Sequence, residues 1–367
     1  MNNLTLNFYF ARHFTKQVMF VFFLFLFLII ALDLIELSRT TAKQTDVSSL
    51  DLVKIALFRA PQFARHILPF AILFGAATSL MLLNRRLELV VARASGISVW
   101  QFIAPYVIVA TGMGLFNAMV YNPLALSGVE ASYEIEAKVF GKVEGGYSNK
   151  SQNFWLRVGS IDGDIIVRSK VAQNSGEKLS AVTIYRFGNS GTMLERLDAD
   201  EALFAEIDGK NYYRLQNVIV TAPGQAGVKI KTVDIPIEIS RSQLQINTTR
   251  PESVSFWNLL TQAARAEKAG RNPLPFLTAH QSLLSKPLLF VAMALLAAGV
   301  SLRFIRIGQS GLLIFGGILT GFVLYVSTVM VLSFGSNGLV SPALAAWSPA
   351  CVATLIGATL LLHQEDG

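Results

Sequence analysis

Charged side chains beside long apolar runs are the residues of this sequence whose types and spacing could do chemistry. Arg39 and Lys43 follow the first apolar run, and Arg59 and Arg65 precede the second. Cationic groups at the edge of a membrane can bind the anionic part of a lipid. Alternatively, their long side chains extend to the lipid headgroups and serve only as membrane anchors. The pattern therefore predicts either an anion site or a set of membrane anchors at this level of the bilayer.

A second charged segment, NRRLELVVARASGISVW at 84–100, is too polar to cross a bilayer but has a helical period. One face is apolar at positions i, i+3, i+4 and i+7: Leu87, Val90, Val91 and Ala94. The remaining surface is charged: Arg85, Arg86, Glu88 and Arg93. Such an amphipathic helix either lies in the headgroups or fills a groove on a partner protein. Periodicity alone favours neither interpretation.

The sequence offers no recognisable catalytic or metal-binding motif. Its four histidines, at 13, 66, 280 and 363, show no metal-ligand spacing. It contains neither a Gly-rich phosphate loop of the Walker type nor a Gly-x-Ser-x-Gly elbow. Cys351 is the single cysteine, which excludes a disulfide within the chain and a cysteine-based metal site. We therefore expect a non-catalytic protein that itself binds no cofactor or metal.

Long apolar runs must position these charged segments. The chain has 367 residues, 52% of them hydrophobic and 15% charged, whereas soluble domains average about 25% charged residues. A helix needs roughly 20 apolar residues to cross a bilayer. Six runs qualify: 18–32 with an extension to 37, 67–83, 99–121, 283–302, 312–334 and 344–362. The first is too long for a cleaved signal peptide. The sequence thus predicts an α-helical polytopic membrane protein with six transmembrane helices.

Basic residues predict the orientation of these spans. They gather before span one, between spans two and three, and between spans four and five: Arg12, Lys16, Arg85, Arg86, Arg93, Arg303 and Arg306. If the spans alternate, all of them lie on one side of the membrane. Loops rich in Lys and Arg remain in the cytoplasm. We therefore expect both termini to be cytoplasmic and the long segment after span three to lie outside.

That long segment reads as an all-β domain. Stretches such as NFWLRVGSIDGDIIVRSKVA alternate apolar and polar residues, and Gly-rich turns separate them. Its acidic and basic residues nearly balance, so we expect no nucleic-acid partner. The predicted organisation is spans one to three in 1–139, with the amphipathic helix at 85–96. An all-β insert of sandwich or jelly-roll type follows in 140–250, then an amphipathic connector and spans four to six in 251–367.

These features together resemble a known family. The segments ILPFAILFGAATSLMLL and NRRLELVVARASGIS, six spans and a β insert after the third are similar to the lipopolysaccharide export permeases LptF and LptG, also called the YjgP/YjgQ family. The likeness covers essentially the whole chain. The later segments SFWNLL and SPALAAWSP look more like LptG than LptF.

The resemblance implies a role for the amphipathic helix. In the family this stretch is a coupling helix that docks in a groove of the cytoplasmic ATPase LptB. Glu88 would then make the ionic contact with the ATPase, the apolar face from Leu87 to Ala94 would fill the groove, and Gly96 would end the helix. ATP and Mg²⁺ would be used by the ATPase and not by this chain.

The resemblance also implies a cargo and an assembly in the bacterial inner membrane. One LptF, one LptG and an LptB dimer would form the transporter. Spans one, two and five would line a cavity for lipopolysaccharide, and Arg39, Lys43, Arg59 and Arg65 would be candidates for its phosphorylated sugars. The lipid would pass through a periplasmic β-jellyroll to LptC and then LptA.

Three other readings stay open at the level of the residues. A secondary transporter would need ionisable groups at mid-membrane and internal repeats, neither of which is evident. An ATP-driven permease for another lipid or a lipoprotein would keep a docking helix but change the cargo. A membrane-anchored β-domain sensor or scaffold would need no ATPase. Co-purifying proteins and lipids distinguish among these classes.

Overall fold

The computed structural model describes residues 3–41, 48–139, 151–160, 163–173, 176–188, 192–207, 210–224, 226–237, 251–268, 271–305 and 310–365. The chain divides into two compact units. One unit is helical and combines Met1–Ile135 with Val254–Glu267 and Asn272–Gly367. The other contains the strands and comprises Glu136–Ser253 with Lys268–Arg271. Two distant parts of the sequence therefore build the helical unit together.

Ten α-helices lie within the described residues. They are α1 Asn3–Thr41, α2 Ser49–Arg85, α3 Glu88–Ala94, α4 Val99–Phe116, α5 Asn122–Val139, α6 Leu259–Lys268, α7 Leu274–Leu284, α8 Lys286–Ile305, α9 Ser310–Ser336 and α10 Pro342–Glu365. A π-helical segment, Asn117–Tyr121, joins α4 to α5.

Six membrane spans are consistent with the described helices. Five are long and apolar enough alone: Leu4–Thr41, Ser49–Arg85, Val99–Ser132, Leu319–Ser336 and Pro342–His363. The sixth is the pair α7 and α8, which is bent by 48°. Pro287 lies just after the bend and has no backbone N–H, so it cannot close the hydrogen bond that would continue a straight helix. The predicted polytopic helical fold is confirmed.

Two of the helices are longer than their apolar runs. With 39 residues, α1 is about 58 Å long at 1.5 Å per residue, more than the thickness of a bilayer. The helix α2 begins at Ser49, well before the run that starts at 67, and it continues through Pro61 and Pro69. The charged residues that precede the second apolar run therefore lie on a continuous helix rather than in a loop.

Small residues set the spacing between these helices. A Cβ atom on Gly75 of α2 would lie 2.7 Å from the Cα of Val18 in α1. A Cβ atom on Gly321 of α9 would lie 2.6 Å from the Leu73 side chain of α2. The absence of a side chain at Gly321 thus allows α9 to approach α2 closely. Helices α1 and α9 both pack on α2 at such points.

The strand unit is one antiparallel sheet. Its strands are β1 Ser151–Ser160, β2 Gly163–Gln173, β3 Lys178–Phe187, β4 Met193–Ile207, β5 Lys210–Thr221 and β6 Val228–Pro236. They neighbour each other in chain order. One buried cluster draws on all six strands, so the sheet must curve around its own apolar face. The all-β insert is confirmed. Its described strands connect as a meander, without the crossovers of a strict jelly roll.

Candidate functional site

The amphipathic helix lies in a tight connection between α2 and α4, residues 84–98, which we call the elbow. The prediction placed its start at residue 85, but α2 extends through Arg85 and α3 begins only at Glu88. Leu87 makes the turn between them in the left-handed conformation, with φ 62°. Its N–H donates to the carbonyl of Asn84 at 2.8 Å. Non-glycine residues rarely adopt this conformation, so the turn stores strain.

The end of α3 follows the prediction. Gly96 has φ +83°, a conformation that glycine adopts without steric cost. The N–H of Gly96 donates to the carbonyl of Arg93 at 3.0 Å, and that of Ile97 to the carbonyl of Ala92 at 3.1 Å. These two bonds form a Schellman motif, which satisfies the last carbonyls of the helix. The elbow is therefore a defined structure at both ends.

The predicted apolar face of α3 is uncovered. Leu87, Val90 and Val91 expose 62%, 52% and 66% of their surface, and Ala94 is exposed as well. On the opposite side Leu89 and Ala92 are buried, and Leu89 belongs to the core of the helical unit. The sequence pattern missed this second, inward apolar face. Because the buried Leu89 and Ala92 anchor α3 to the helical unit, its opposite apolar face remains exposed.

Glu88 lies between the two faces and is half-buried. The Tyr9 hydroxyl of α1 donates to its Oε2 at 2.7 Å. The Nη1 of Arg86 lies 4.0 Å from its Oε1. The other charged residues of the elbow, Arg85, Arg86 and Arg93, are exposed. Sequence reasoning missed Tyr9, which is 79 residues from Glu88 and carries no pattern that links it to the elbow.

At the opposite end of α1, one of the predicted cations has a carboxylate partner. Arg59 lies 3.7 Å from Asp33, and both side chains are almost buried, with 13% and 14% exposed. This ion pair joins α1 to α2. Arg39 is exposed in the last turn of α1, and Lys43 lies outside the described residues. The predicted cations are therefore in different environments.

Arg65 has a basic neighbour from a distant helix that the sequence did not indicate. It lies close enough to Lys286, the first residue of α8, for their charges to interact. Its charge also acts on Tyr121, whose hydroxyl donates to the carbonyl of Pro61 at 2.9 Å. Arg65 and Lys286 belong to helices far apart in the sequence. A concentration of positive charge at this point arises only from tertiary packing.

Charged side chains of the sheet form ion pairs. Four ion pairs join neighbouring or alternate positions: Lys178 with Glu201, Arg186 with Glu195, Arg196 with Asp198, and Arg214 with Asp234. Arg214 donates two hydrogen bonds to Asp234, at 2.9 and 3.0 Å, and these bonds hold the pKa of that carboxyl below its usual range. Positive and negative charges balance at these positions, so they form neither a basic nor an acidic patch.

Several helices long and apolar enough to cross a membrane, an anchored elbow with an exposed apolar face and a β insert define a multi-pass membrane protein. Residues 8–363 match the family model described as lipopolysaccharide export system permease LptF/LptG. The chain belongs to this family. A search of curated proteins finds no match.

Proposed function

We propose that this chain is the LptG-type permease subunit of an ATP-driven exporter. It takes lipopolysaccharide from the outer leaflet of the bacterial inner membrane and passes it through its β unit toward the outer membrane. A separate LptB-type ATPase dimer hydrolyses ATP with Mg²⁺. A paralogous LptF-type permease completes the membrane part, and LptC and LptA receive the lipid.

The observation that carries this proposal is the open face of α3. Three large apolar side chains in one short helix lie exposed beside three arginines. Exposed apolar patches rimmed by polar groups are typical of interaction sites. A helix lying in the headgroups would also expose apolar residues to lipid. The inward anchoring of Leu89 and Ala92, however, fixes the helix to the bundle and suits a surface that transmits force.

Exposed apolar residues along two spans support the proposed contacts with the lipid and with the second permease. Large side chains of α1 are exposed, among them Phe20, Phe23 and Phe27. The same holds for Phe322 and Met330 of α9. In the family these spans face the lipid cavity and the second permease. Orientation follows from the basic residues near the elbow, which belong on the cytoplasmic side if the positive-inside tendency holds.

The phosphates of the lipid need cations at the other end of the bundle. Arg65, with Lys286 acting beside it, is the best supported candidate, and Arg39 and Lys43 are further candidates. Arg59 is a weaker candidate because Asp33 lies at 3.7 Å from it. Phosphate groups bind guanidinium groups through charge-assisted hydrogen bonds.

Docking is tested by substitutions on the open face. Val91→Asp places a charge where a groove would bury a methyl group, and Glu88→Arg reverses the charge at the expected ionic contact. Burying one unpaired charge costs several kcal/mol. We expect either variant to lose at least about 90% of the ATPase that co-purifies with the wild-type chain from native membranes.

Arg93→Gln is the matched control, because Arg93 lies on the same helix, is exposed, and lies outside the apolar face. It should retain the ATPase. Normal co-purification with both Val91→Asp and Glu88→Arg would contradict docking and favour a helix that lies on the membrane. Mass spectrometry of the lipid bound to the purified complex tests the cargo. A lipoprotein or another lipid in place of lipopolysaccharide would overturn that part.

A further inference from the structure

The carboxylate of Glu88 is held by a residue of the first membrane span. The Tyr9 hydroxyl donates to Oε2 at 2.7 Å, while Oε1 has Arg86 at 4.0 Å, beyond hydrogen-bond distance. An ionised carboxylate accepts several hydrogen bonds on its two oxygens. One oxygen of Glu88 can therefore remain on Tyr9 while the other accepts a bond from a docked partner.

One turn further along α1, a second polar contact ties the same face of the helix to the elements on both sides of α3. His13 Nδ1 and Ser79 Oγ of α2 are hydrogen-bonded at 2.8 Å. Ser79 Oγ is in turn 2.6 Å from the Tyr106 hydroxyl of α4. The Phe14 ring stacks on Tyr106 with centroids 4.4 Å apart. Positions 9 and 13 are four residues apart and share one side of α1.

These contacts bind α1 to every part of the elbow region. Tyr9 reaches α3, and His13 reaches the α2–α4 pair that α3 connects. Helix α1 also has the wide exposed apolar surface of Phe20, Phe23 and Phe27. Directly bonded groups therefore connect α3 and the helices on both sides of it to α1.

We propose that Tyr9 is a positioning residue for coupling. It holds the Glu88 carboxylate toward the docking partner and transmits the movement of α3 to α1. This inference rests on the proposed docking of an ATPase at α3. It adds a second protein contact for Glu88 and assigns a role to the N-terminal turns of α1.

The hydrogen bond between Tyr9 and Glu88 is not needed to keep Tyr9 in place. Tyr9 is 41% exposed, so its hydroxyl could bond to water if Glu88 were absent. The ring keeps its own neighbours, with Phe10 at 5.8 Å and His13 at 6.3 Å between centroids. Removing the hydroxyl alone should leave the fold unchanged. Any loss of coupling would then report the hydrogen bond and not the stability of the chain.

The test is Tyr9→Phe in the complete exporter reconstituted in lipid vesicles, with lipopolysaccharide release and ATP consumption measured together. We expect the ATPase to co-purify and the unfolding temperature to stay within the error of the wild type. The ATP consumed per lipid released should rise about three- to ten-fold, the effect of losing one hydrogen bond that water can partly replace. Tyr212→Phe is the matched control, since it also removes one tyrosine hydroxyl, from a residue of the sheet unit whose side chain lies on the face away from the sheet core. It should show the wild-type ratio.

A double-substitution cycle separates the contact from other effects of each residue. Glu88→Gln keeps an oxygen that can accept from Tyr9, and Glu88→Ala does not. Tyr9→Phe should worsen the coupling of Glu88→Gln but add nothing to Glu88→Ala. A wild-type ratio of ATP to lipid in Tyr9→Phe, or strict additivity with Glu88→Ala, overturns the inference. If no ATPase co-purifies with the wild-type chain, the proposed docking fails instead.

Discussion

The basic residues at the end of the helical unit opposite the elbow differ in the groups that surround them. Arg59 and Asp33 form a nearly buried pair between α1 and α2. Removing one partner would leave a buried charge unpaired and destabilise the fold, so both residues must be replaced together. Arg65 instead lies close to a second cation, Lys286 of α8. Mutual repulsion of like charges favours a bound anion at that point. At the residue scale, this second cation makes Arg65 the stronger candidate for the proposed phosphate contact.

We therefore expect Arg65→Gln to weaken crosslinking of lipopolysaccharide to the chain. Loss of one charge-assisted hydrogen bond is worth about 1.5–3 kcal/mol, roughly a 10- to 100-fold loss of affinity. The matched control is the double variant Arg59→Gln with Asp33→Asn, which removes one cation without leaving a buried charge unpaired. It should keep crosslinking close to the wild type. The reverse result, loss in the double variant alone, would move the phosphate site to Arg59.

At the scale of elements, the elbow combines an anchored helix with a strained turn. Leu87 adopts a left-handed conformation although a glycine there would avoid the strain. The leucine side chain is nevertheless 62% exposed, so it gains little from packing within the chain. Strain that persists at an exposed apolar residue points to a use of that side chain outside this chain.

Leu87→Gly separates stability from docking. Relief of the strain is worth about 1 kcal/mol, which is partly offset by the greater entropy of glycine in the unfolded chain. The unfolding temperature should therefore not fall. Loss of a leucine buried at an interface is worth about 1.5–3 kcal/mol, so ATPase binding should weaken about 10- to 100-fold.

Leu89→Ala is the contrasting variant, since Leu89 faces the core with 2% of its surface exposed. Truncating a buried leucine costs about 2–5 kcal/mol of stability. It should lower the unfolding temperature, whereas Leu87→Gly should not. If Leu87→Gly keeps full ATPase affinity, measured by titration of the purified subunit in detergent, the left-handed leucine has no role in docking.

The spans could be predicted from the sequence because the bilayer imposes a minimum length of apolar residues. The ends of the helices could not, since Ser49–Arg85 includes many polar residues that do not contribute to the apolar signal. The face Leu87, Val90 and Val91 followed from helical spacing, but the conformation of Leu87 depends on how α2 and α4 are joined. The Tyr9–Glu88 contact and the closeness of Arg65 to Lys286 arise from tertiary packing, which local sequence patterns do not reveal.

At the scale of the whole molecule, two separate cores limit how a lipid can travel. The helical unit has one core around α2 and α8, and the sheet has another that all six strands share. Leu179, Ile184 and Leu215 of the sheet are fully buried. Acyl chains that pass along the inner face of the sheet must therefore displace side chains that now contact each other.

Phe204 is the position best suited to detect such a passage. It lies on β4 at the border of the sheet core, where its ring contacts Tyr213 of β5 with centroids 6.0 Å apart. Tyr212 follows the alternation and points to the other face. The photoreactive residue p-benzoylphenylalanine adds a benzoyl group to the ring, and Phe204 and Tyr212 are both only partly buried, so the added group can extend toward the surface at either position.

If lipopolysaccharide travels along the inner face, p-benzoylphenylalanine at 204 should crosslink to it in vesicles supplied with ATP, and the same residue at 212 should not. Crosslinking at 204 should fall to background without ATP, because the core side chains separate only when the exporter delivers lipid. Equal crosslinking at 204 and 212 would contradict passage of the lipid along the inner face alone. Absence of crosslinking at both positions, in a complex that still releases lipid, would mean that the cargo bypasses this sheet.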